Sequence, residues 1–433
     1  MLDFAIVYEH KNRELETACL IKSLLESKGY TCEVLYIFSL KRAICNPKVV
    51  IYPYLYSTEA CKEANSFLVS QKRPVINLQY EQVITKAAED SGFYYPKGDA
   101  KNAMHITWGK SSTDRLENGA GIAKTHISQV GNISLTLNDK SFKKFYLDKR
   151  QMSEKYGISQ NSKWHIFISS FTFVTIESKK NFDKDNTDES EFIYRNDFLN
   201  ISRESRKEIL RWFKDYCKEH NDETIIYRPH PNETIDNTLV KMQEEIKNFY
   251  VISEYSIRQW IFLADSLLTW ISTSIADIFF AEKSCLILRP KDVPVSYDSE
   301  MLLTAEKIKT KEDFFDKMSD TKQNFPVSDE KIRYYYCNAT PEKVFSDFTK
   351  CCEHVYENKE EYEVETSGNK FYATLLYNIL LSIGSRIKLY KITKGLLSER
   401  LKYSYKENRN VRGLKKKYIK NFRKYFSDTV DVR

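Results

Sequence analysis

Short apolar runs alternate with amphipathic stretches along most of the chain. The first run, Phe4 to Glu9, leads into a stretch in which Leu15, Ala18 and Leu24 recur at helical spacing. Similar runs follow at Thr31 to Ile37, Val49 to Tyr54, Val75 to Leu78, His105 to Gly109 and Ile127 to Val130. Apolar runs separated by helical stretches are typical of βαβ units in a doubly wound parallel sheet. The pattern therefore predicts a Rossmann-like α/β domain within residues 1–138.

A second series of apolar runs begins after a polar, helical connection at residues 139–163. Its members are Trp164 to Phe171, Thr224 to Tyr227, Asn248 to Val251, Ser266 to Trp270 and Cys285 to Leu288. We expect them to build a second Rossmann-like domain over residues 164–360, with a predicted loop at 177–191 and a helical tail at 361–433. A chain of 433 residues is long enough for two such cores, because domains commonly hold roughly 100 to 200 residues.

Composition limits the class of protein. The chain is 42% hydrophobic and 29% charged, as in ordinary globular proteins, and it has no window of about 18 uncharged apolar residues. The first residues lack the basic and apolar pattern of a signal peptide, so we expect a cytoplasmic protein. The nine cysteines follow neither a disulfide framework nor a zinc-binding spacing, and we expect reduced thiols and no bound metal.

The net charge of +7 belongs to the tail. Between Arg386 and Lys424 there are fifteen Lys or Arg residues and two Glu, so the rest of the chain carries a net charge near −6. Tyr418, Phe422 and Tyr425 stand among these cations and predict an amphipathic helix on the anionic inner face of the cytoplasmic membrane. Two other readings are nucleic-acid binding, which is not favoured, and a solvated helix packed on a domain.

Two predicted strands of the second domain end in residues suited to an anion. Arg228-Pro229-His230-Pro231 follows one strand, and Ser272-Thr273-Ser274 follows another. In an open α/β sheet, ligands bind at the carboxyl ends of the strands, and hydroxyl and amide groups before a helix attract negative charge. These residues therefore predict a nucleotide-phosphate site. The structural alternatives are a helix stop at the prolines and a simple N-cap at the hydroxyls.

At these residues the chain resembles a known group of enzymes. The pair His230-Pro231 followed by Ser272-Thr273-Ser274 is similar to the HP and S/T motifs of bacterial GT-B glycosyltransferases that use cytidine-activated donors. This group includes sialyltransferases, Kdo transferases and the teichoic-acid glycerophosphotransferases. Tyr8 to Leu15 and Asn77 to Gln82 also resemble segments of capsule and lipopolysaccharide biosynthesis proteins. The resemblance covers about residues 1 to 350 and implies an α/β fold of GT-B type, with two Rossmann-like domains facing a cleft.

The resemblance also implies an activity. It implies inverting transfer of a sugar from a nucleotide donor, with a CMP-activated sugar preferred, onto a surface polysaccharide or lipid-linked glycan. His230, Pro231 and the Ser272 to Ser274 turn are then expected to hold the donor phosphate, with no metal or other cofactor. Glu254, just after a strand, is expected at the ribose or base.

The general base is less well defined by sequence. The sialyltransferases use a [DE]-[DE]-G motif, whereas this chain has Gln79-Tyr80-Glu81-Gln82, which lacks the first acid and the glycine. Glu81 is the preferred base because it lies just past a strand end, and Glu9 and His10 compete with it. Two other functions stay open. One is transfer of an alditol phosphate from a CDP-alditol, and the other is a non-catalytic nucleotide-binding partner in polysaccharide assembly.

Overall fold

The computed structural model describes residues 2–172, 174, 189–231, 233–320, 324–337, 340–366 and 371–430. The strands are β1 (Leu2–Tyr8), β2 (Cys32–Tyr36), β3 (Pro47–Tyr52), β4 (Arg73–Asn77), β5 (Met104–Thr107), β6 (Ile127–Gln129), β7 (Lys163–Ile168), β8 (Glu223–Arg228), β9 (Phe249–Val251), β10 (Ser266–Thr269), β11 (Cys285–Ile287) and β12 (Glu363–Val364). Every apolar run that predicted a strand forms one, within about three residues of the predicted ends.

Helices connect these strands and form the carboxyl-terminal part of the chain. They are α1 (Lys11–Glu26), α2 (Leu40–Ile44), α3 (Thr58–Ala64), α4 (Lys86–Asp90), α5 (Lys110–Asp114), α6 (Lys149–Tyr156), α7 (Glu189–Glu219), α8 (Asn237–Glu245), α9 (Ile257–Ile261), α10 (Ile275–Phe280), α11 (Glu300–Leu303), α12 (Lys311–Ser319), α13 (Asp329–Tyr336), α14 (Pro341–Glu357), α15 (Phe371–Arg386), α16 (Gly395–Asn408) and α17 (Val411–Val430). Residues 177–188 of the predicted loop lie outside the described residues, and residues 189–191 begin α7.

The chain divides into two compact units. The first unit comprises Met1–Gln82, Gly92–Ser134 and Tyr334–Arg433, and the second comprises Val83–Ser91 and Leu135–Arg333. Each unit contains one sheet with helices around it. The chain is therefore an α/β protein with two Rossmann-like domains, as the alternating pattern predicts.

The sheet of the first unit has the strand order β2-β1-β3-β4-β5-β6, and these strands are parallel. Residues Phe4 to Tyr8 of β1 are buried, which explains why this strand reads as a continuous apolar run. The chain moves from β1 to β2 on one side and then to β3 on the other. The strand order thus reverses between β1 and β3, which is where such sheets bind ligands at their carboxyl edge.

The sheet of the second unit has the order β11-β10-β7-β8-β9 and is also parallel. Its strand order reverses between β7 and β10. A large aromatic core supports it, in which Phe171 stacks on Trp270 with ring centroids 4.5 Å apart. This core fixes the ends of β7 and β10 relative to each other.

The residues after Arg333 return to the first unit, which differs from the predicted boundaries at 360 and 361. Val364 of β12 pairs with Arg73 of β4 in the antiparallel sense, and α17 packs along α1. The rings of Phe345 and Phe426 lie 5.5 Å apart. The difference arises because amphipathic periodicity shows that a helix has a partner but does not show which domain supplies it.

The aromatic face of α17 is buried against the first unit. Phe422 is 2% exposed, and Tyr425 and Phe426 are each 7% exposed. The prediction that Phe422 and Tyr425 contact lipid is therefore wrong, because protein already covers them. No helix within the described residues has the length and apolar content needed to cross a membrane.

Candidate functional site

Three neighbouring strands of the second unit end at the same level. Ile168, the last residue of β7, pairs with Arg228 of β8 on one side and with Thr269 of β10 on the other. Parallel strands in register bring the residues that follow them to one edge of the sheet. The residues gathered in this way are Ser169, Ser170, His230 and Ser272. This edge coincides with the reversal of strand order, so the sequence-predicted His-Pro and hydroxyl motifs share one end of the sheet.

A buried carboxylate holds the His-Pro turn. Glu233 accepts hydrogen bonds from the backbone N–H of His230 at 3.1 Å, the Tyr227 hydroxyl at 2.6 Å and the Ser169 hydroxyl at 2.5 Å. Burial raises the pKa of Glu233, although these bonds oppose the shift. Sequence reasoning missed this residue, and its only sequence signal is an acid three positions after His230. Glu233 fixes the backbone from which the half-buried His230 projects.

The hydroxyl turn after β10 is tied to the end of β7. The N–H of Ile271 donates to Ser170 Oγ at 3.2 Å, and the N–H of Ser274 donates to Ser272 Oγ at the same distance. Thr273 is exposed. The helix that follows, α10, has six residues, so the donors for an anion are the hydroxyls and amides of the turn rather than a long helix. Ser170 is a further hydroxyl that sequence reasoning did not single out.

Arg228 has a structural role in addition to the predicted contact with phosphate. Its side chain is buried, and Nη1 donates to the carbonyl oxygens of Glu254 at 3.2 Å and Ile252 at 3.5 Å. Nη2 donates to the carbonyl oxygen of Tyr255. Burial lowers the pKa of Arg228 to about 10, well above physiological pH. The guanidinium therefore fastens the turn after β9, and its contact with a phosphate stays a prediction.

Glu254 lies on that turn, at one side of a cleft of about 400 Å³. Its carboxylate pairs with Lys155 Nζ and accepts a hydrogen bond from the Tyr156 hydroxyl at 3.0 Å. The hydrogen bond from Lys155 lowers the pKa of Glu254. The cleft is also lined by Lys247 and Tyr250. Glu254 is thus an ionised, partnered acid beside a partly aromatic cleft.

In the first unit, Glu9 and His10 follow β1 at the point where the strand order reverses. The carboxylate of Glu14, which is fully buried, accepts the N–H groups of Glu9 at 2.7 Å and His10 at 3.3 Å. Arg13 pairs with the same carboxylate at 2.9 Å. Glu14 therefore caps the amino terminus of α1 from within and holds the backbone of both candidate residues.

Glu9 and His10 are both shifted toward their neutral forms. Burial and the negative charge of Glu14 raise the pKa of Glu9 to about 7. Burial and the nearby charge of Arg13 lower the pKa of His10 to about 4. His10 Nε2 lies 3.8 Å from Glu9 Oε2, yet these opposite shifts mean that the two groups do not form an ion pair between about pH 4 and pH 7. A carboxylate with a pKa near 7 is suited to act as a general base.

The carboxyl-terminal helix α16 also contributes residues to this region, a contact that the sequence did not indicate. The Tyr403 hydroxyl and His10 Nδ1 lie 2.8 Å apart. Burial raises the pKa of Tyr403, so its hydroxyl keeps its proton. Nδ1 accepts this hydrogen bond when the His10 proton is on Nε2 and donates it when the proton is on Nδ1. Glu407 accepts the N–H of Lys11, another amide at the start of α1. Residues almost four hundred positions apart thus share one end of β1.

Glu81, the base preferred from sequence, is engaged with a cation. Arg13 Nη1 lies 2.6 Å from Glu81 Oε1, and the Glu81 side chain is 39% exposed. The same guanidinium also binds Glu14. Arg13 therefore links Glu81 to the Glu9 and His10 region, and Glu81 is the more exposed and more strongly paired of the two candidate carboxylates.

Comparisons with known proteins show the fold. No protein-family model matches the chain, and no curated protein sequence matches it significantly. Among solved structures, the wall teichoic acid polymerase TagF is similar over 82% of this chain and 89% of its own, with 11% identity and a TM-score of 0.52. A UDP-GlcNAc 2-epimerase from Neisseria meningitidis, bound to UDP-GlcNAc, is similar over 82% and 99%, with 11% identity and a TM-score of 0.50. At these identities the similarity establishes the fold alone, and that fold is GT-B.

Proposed function

We propose that this chain is an inverting, metal-independent glycosyltransferase of surface-carbohydrate synthesis. Its donor is a nucleotide sugar, with a CMP-activated sugar such as Kdo or sialic acid preferred, and its acceptor is a polysaccharide or lipid-linked glycan. The observation that carries the proposal is the register of β7, β8 and β10, which gathers hydroxyl, amide and imidazole groups at one sheet edge. Such groups are hydrogen-bond donors to phosphate oxygens.

In the proposed reaction the second unit binds the donor phosphate. His230, Pro231 and the Ser272 to Ser274 turn form this site, with Glu254 at the ribose or base. Negative charge on the phosphate grows as its bond to the anomeric carbon breaks, so donors aimed at its oxygens lower the barrier. Arg228 contributes indirectly, by holding the turn that carries Glu254.

The first unit supplies the proposed base. Glu9 takes the proton from the acceptor hydroxyl, whose oxygen attacks the anomeric carbon while the nucleotide leaves with the bonding electrons. One carboxylate is sufficient for inversion by a single displacement. His10, beside Glu9, orients the carboxylate, and Glu81 is the competing base. We favour Glu9 because its pKa of about 7 matches the task.

A second candidate function is transfer of an alditol phosphate from a CDP-alditol. It is favoured by the similarity to the wall teichoic acid polymerase, which was also solved with CDPG. In this reaction His10 and His230 replace Glu9 as the main catalytic groups. An imidazole held at Nδ1, as His10 is by Tyr403, presents a single nitrogen to a substrate.

We further propose that the protein works in the cytoplasm at the inner face of the membrane. The fifteen cations between Arg386 and Lys424 support an attraction to anionic lipid, at about 1 kcal/mol for each Lys or Arg near the surface. A lipid-linked acceptor would be presented there. Nucleic acid is not a proposed partner.

The test begins with nucleotide binding and then measures turnover. The unfolding temperature is recorded with CMP, CDP and UDP, since a ligand at a hundred times its Kd stabilises a protein by about 2.7 kcal/mol. Transfer and hydrolysis are then assayed with CMP-Kdo, CMP-sialic acid, CDP-glycerol and UDP-GlcNAc. Release of CMP from a CMP-sugar supports the first function, and release from CDP-glycerol supports the second. Binding without turnover supports a non-catalytic partner, and the absence of any nucleotide-induced shift refutes all three.

Variants then assign the roles. We expect His230→Ala to lower kcat/KM roughly 10- to 100-fold through loss of phosphate contacts. Glu9→Gln should lower kcat roughly 100- to 10,000-fold with little change in donor Kd. Glu204→Gln is the matched control, because its exposed side chain lies on α7, outside both sites. A large loss in Glu81→Gln with a small one in Glu9→Gln would transfer the role of base to Glu81.

A further inference from the structure

An apolar ridge stands exposed on the carboxyl-terminal helices of the first unit. Its members are Leu376 (67% exposed), Leu380 (41%), Ile383 (51%) and Ile387 (68%), and Ile392 (79%) and Leu396 (70%) are exposed further along the chain. The first four are spaced by four, three and four residues, which places them on one face of α15 and its continuation. A helix on the surface of a globular domain normally turns polar residues to water, so this face requires a partner.

The opposite face of α15 already has its partner in the first unit. Leu381 and Ser385 are each 1% exposed. A side chain added at Gly384 would meet Leu401 of α16 at 2.9 Å, so the two helices approach closely there. The helix is thus fixed to the protein by one face while the ridge points away from these contacts. None of the described residues covers the ridge.

The charged side chains within residues 366–398, the segment that carries the ridge, are of one sign. The sequence from Thr366 to Ser398 contains no acidic residue. Exposed cations alternate with the apolar residues in its second half; they are Arg386, Lys388, Lys391 and Lys394. Apolar side chains flanked by Lys and Arg are the pattern of helices that lie in the interface of an anionic bilayer.

We propose that this ridge, and not the aromatic face of α17, is the surface that docks the protein on anionic lipid. The apolar side chains enter the boundary between headgroups and acyl chains, and the cations lie at the lipid phosphates. A second copy of the chain fits less well, because a symmetric contact would bring two sets of cations together. The inference specifies the membrane association proposed above and is independent of the transferase chemistry.

The test is co-sedimentation with lipid vesicles. Wild-type protein is mixed with vesicles of phosphatidylcholine alone, or with about one-third phosphatidylglycerol. We expect binding at least about tenfold stronger to the anionic vesicles, and weaker binding at high salt. The double variant Ile383→Glu with Ile387→Glu should lose about tenfold or more of that binding, because it removes apolar contacts and adds two negative charges.

The matched control is Val240→Glu with Val295→Glu, two exposed valines of the second unit that change the net charge equally. This control should keep most of the wild-type vesicle binding and lose only the small part that two added negative charges remove. Nucleotide-induced thermal shifts measured on the same preparations should be unchanged in both double variants, which separates this inference from the proposed function and checks folding. Equal vesicle binding by the ridge variant and the control would refute the ridge. A wild-type dimer that the ridge variant abolishes, without vesicle binding, would instead assign the surface to a second copy.

Discussion

Replacing Glu9 by Gln tests whether this carboxyl group is held in an environment that disfavours its charge. The pKa of Glu9 rises from 4.5 to about 7 on folding, and its side chain is 20% exposed. Burial is the largest cause of this shift in pKa; the charges of Glu14, Glu63 and Glu407 add to it, and that of Arg13 opposes it. Gln has nearly the same shape and carries no charge at any pH.

The sign and size of the effect follow from proton linkage. Between pH 4.5 and 7 the unfolded chain has lost a proton that the folded chain keeps at Glu9, so the folded state loses stability as pH rises. The difference between the two pKa values corresponds to about 3 kcal/mol of unfolding free energy. His10 acts oppositely, because its pKa falls from 6.5 to about 4 and folding then gains stability as pH rises. In the wild-type protein the two effects largely cancel between about pH 4.5 and 6.5.

Glu9→Gln should therefore match the wild type near pH 4.5 and exceed its stability by about 3 kcal/mol at pH 8. Hydrogen exchange of β1 amides is a suitable assay, because this strand is paired on both sides within the sheet of the first unit and reports that unit alone. Protection factors are compared at several pH values after correction for intrinsic exchange. Glu204→Gln, in the second unit, should leave the protection of β1 unchanged throughout. A stability difference between Glu9→Gln and wild type that does not grow with pH would refute the assigned environment.

Two further substitutions test the supporting contacts. Tyr403→Phe should cost about 1 kcal/mol of first-unit stability and lower kcat several-fold at unchanged donor Kd. Nitrogen NMR of His10 should show a changed ratio of tautomers in this variant, and an unchanged ratio would contradict a role of the hydroxyl in setting the tautomer. Arg228→Met should destabilise the second unit by about 1 to 3 kcal/mol, measured by urea unfolding, because the carbonyl oxygens of Ile252 and Tyr255 lose the Arg228 donor and that of Glu254 keeps only the bond from the Trp260 indole. If the variant is as stable as the wild type but binds nucleotide more weakly, Arg228 contacts the phosphate directly.

The strand ends were predictable because they depend on local features. His230 precedes a proline and Ser272 follows an apolar run, and both features were visible in the chain. The pairings of these residues were not predictable. Arg228 looked like a ligand for an anion, but a buried guanidinium needs acceptors, and the nearest acceptors are carbonyls of a turn almost thirty residues away. Glu81 is preferred from sequence because it lies just past a strand end, and no local feature indicates that Arg13 pairs with it.

By itself the sequence determined the two Rossmann-like domains, the positions of the strands along the chain and the polar residues at the strand ends. Hydrophobic periodicity and turn residues determine secondary structure within a few positions of the chain, so these features can be predicted without a structure. Only the tertiary structure decided that the last hundred residues return to the first unit, that Tyr403 meets His10, and that α17 hides its aromatic face while α15 exposes an apolar one. These outcomes depend on which of several amphipathic helices packs on each apolar surface of the two domains. The favoured packing depends on the apolar area that each arrangement buries over the whole chain, and a local sequence pattern does not determine that area.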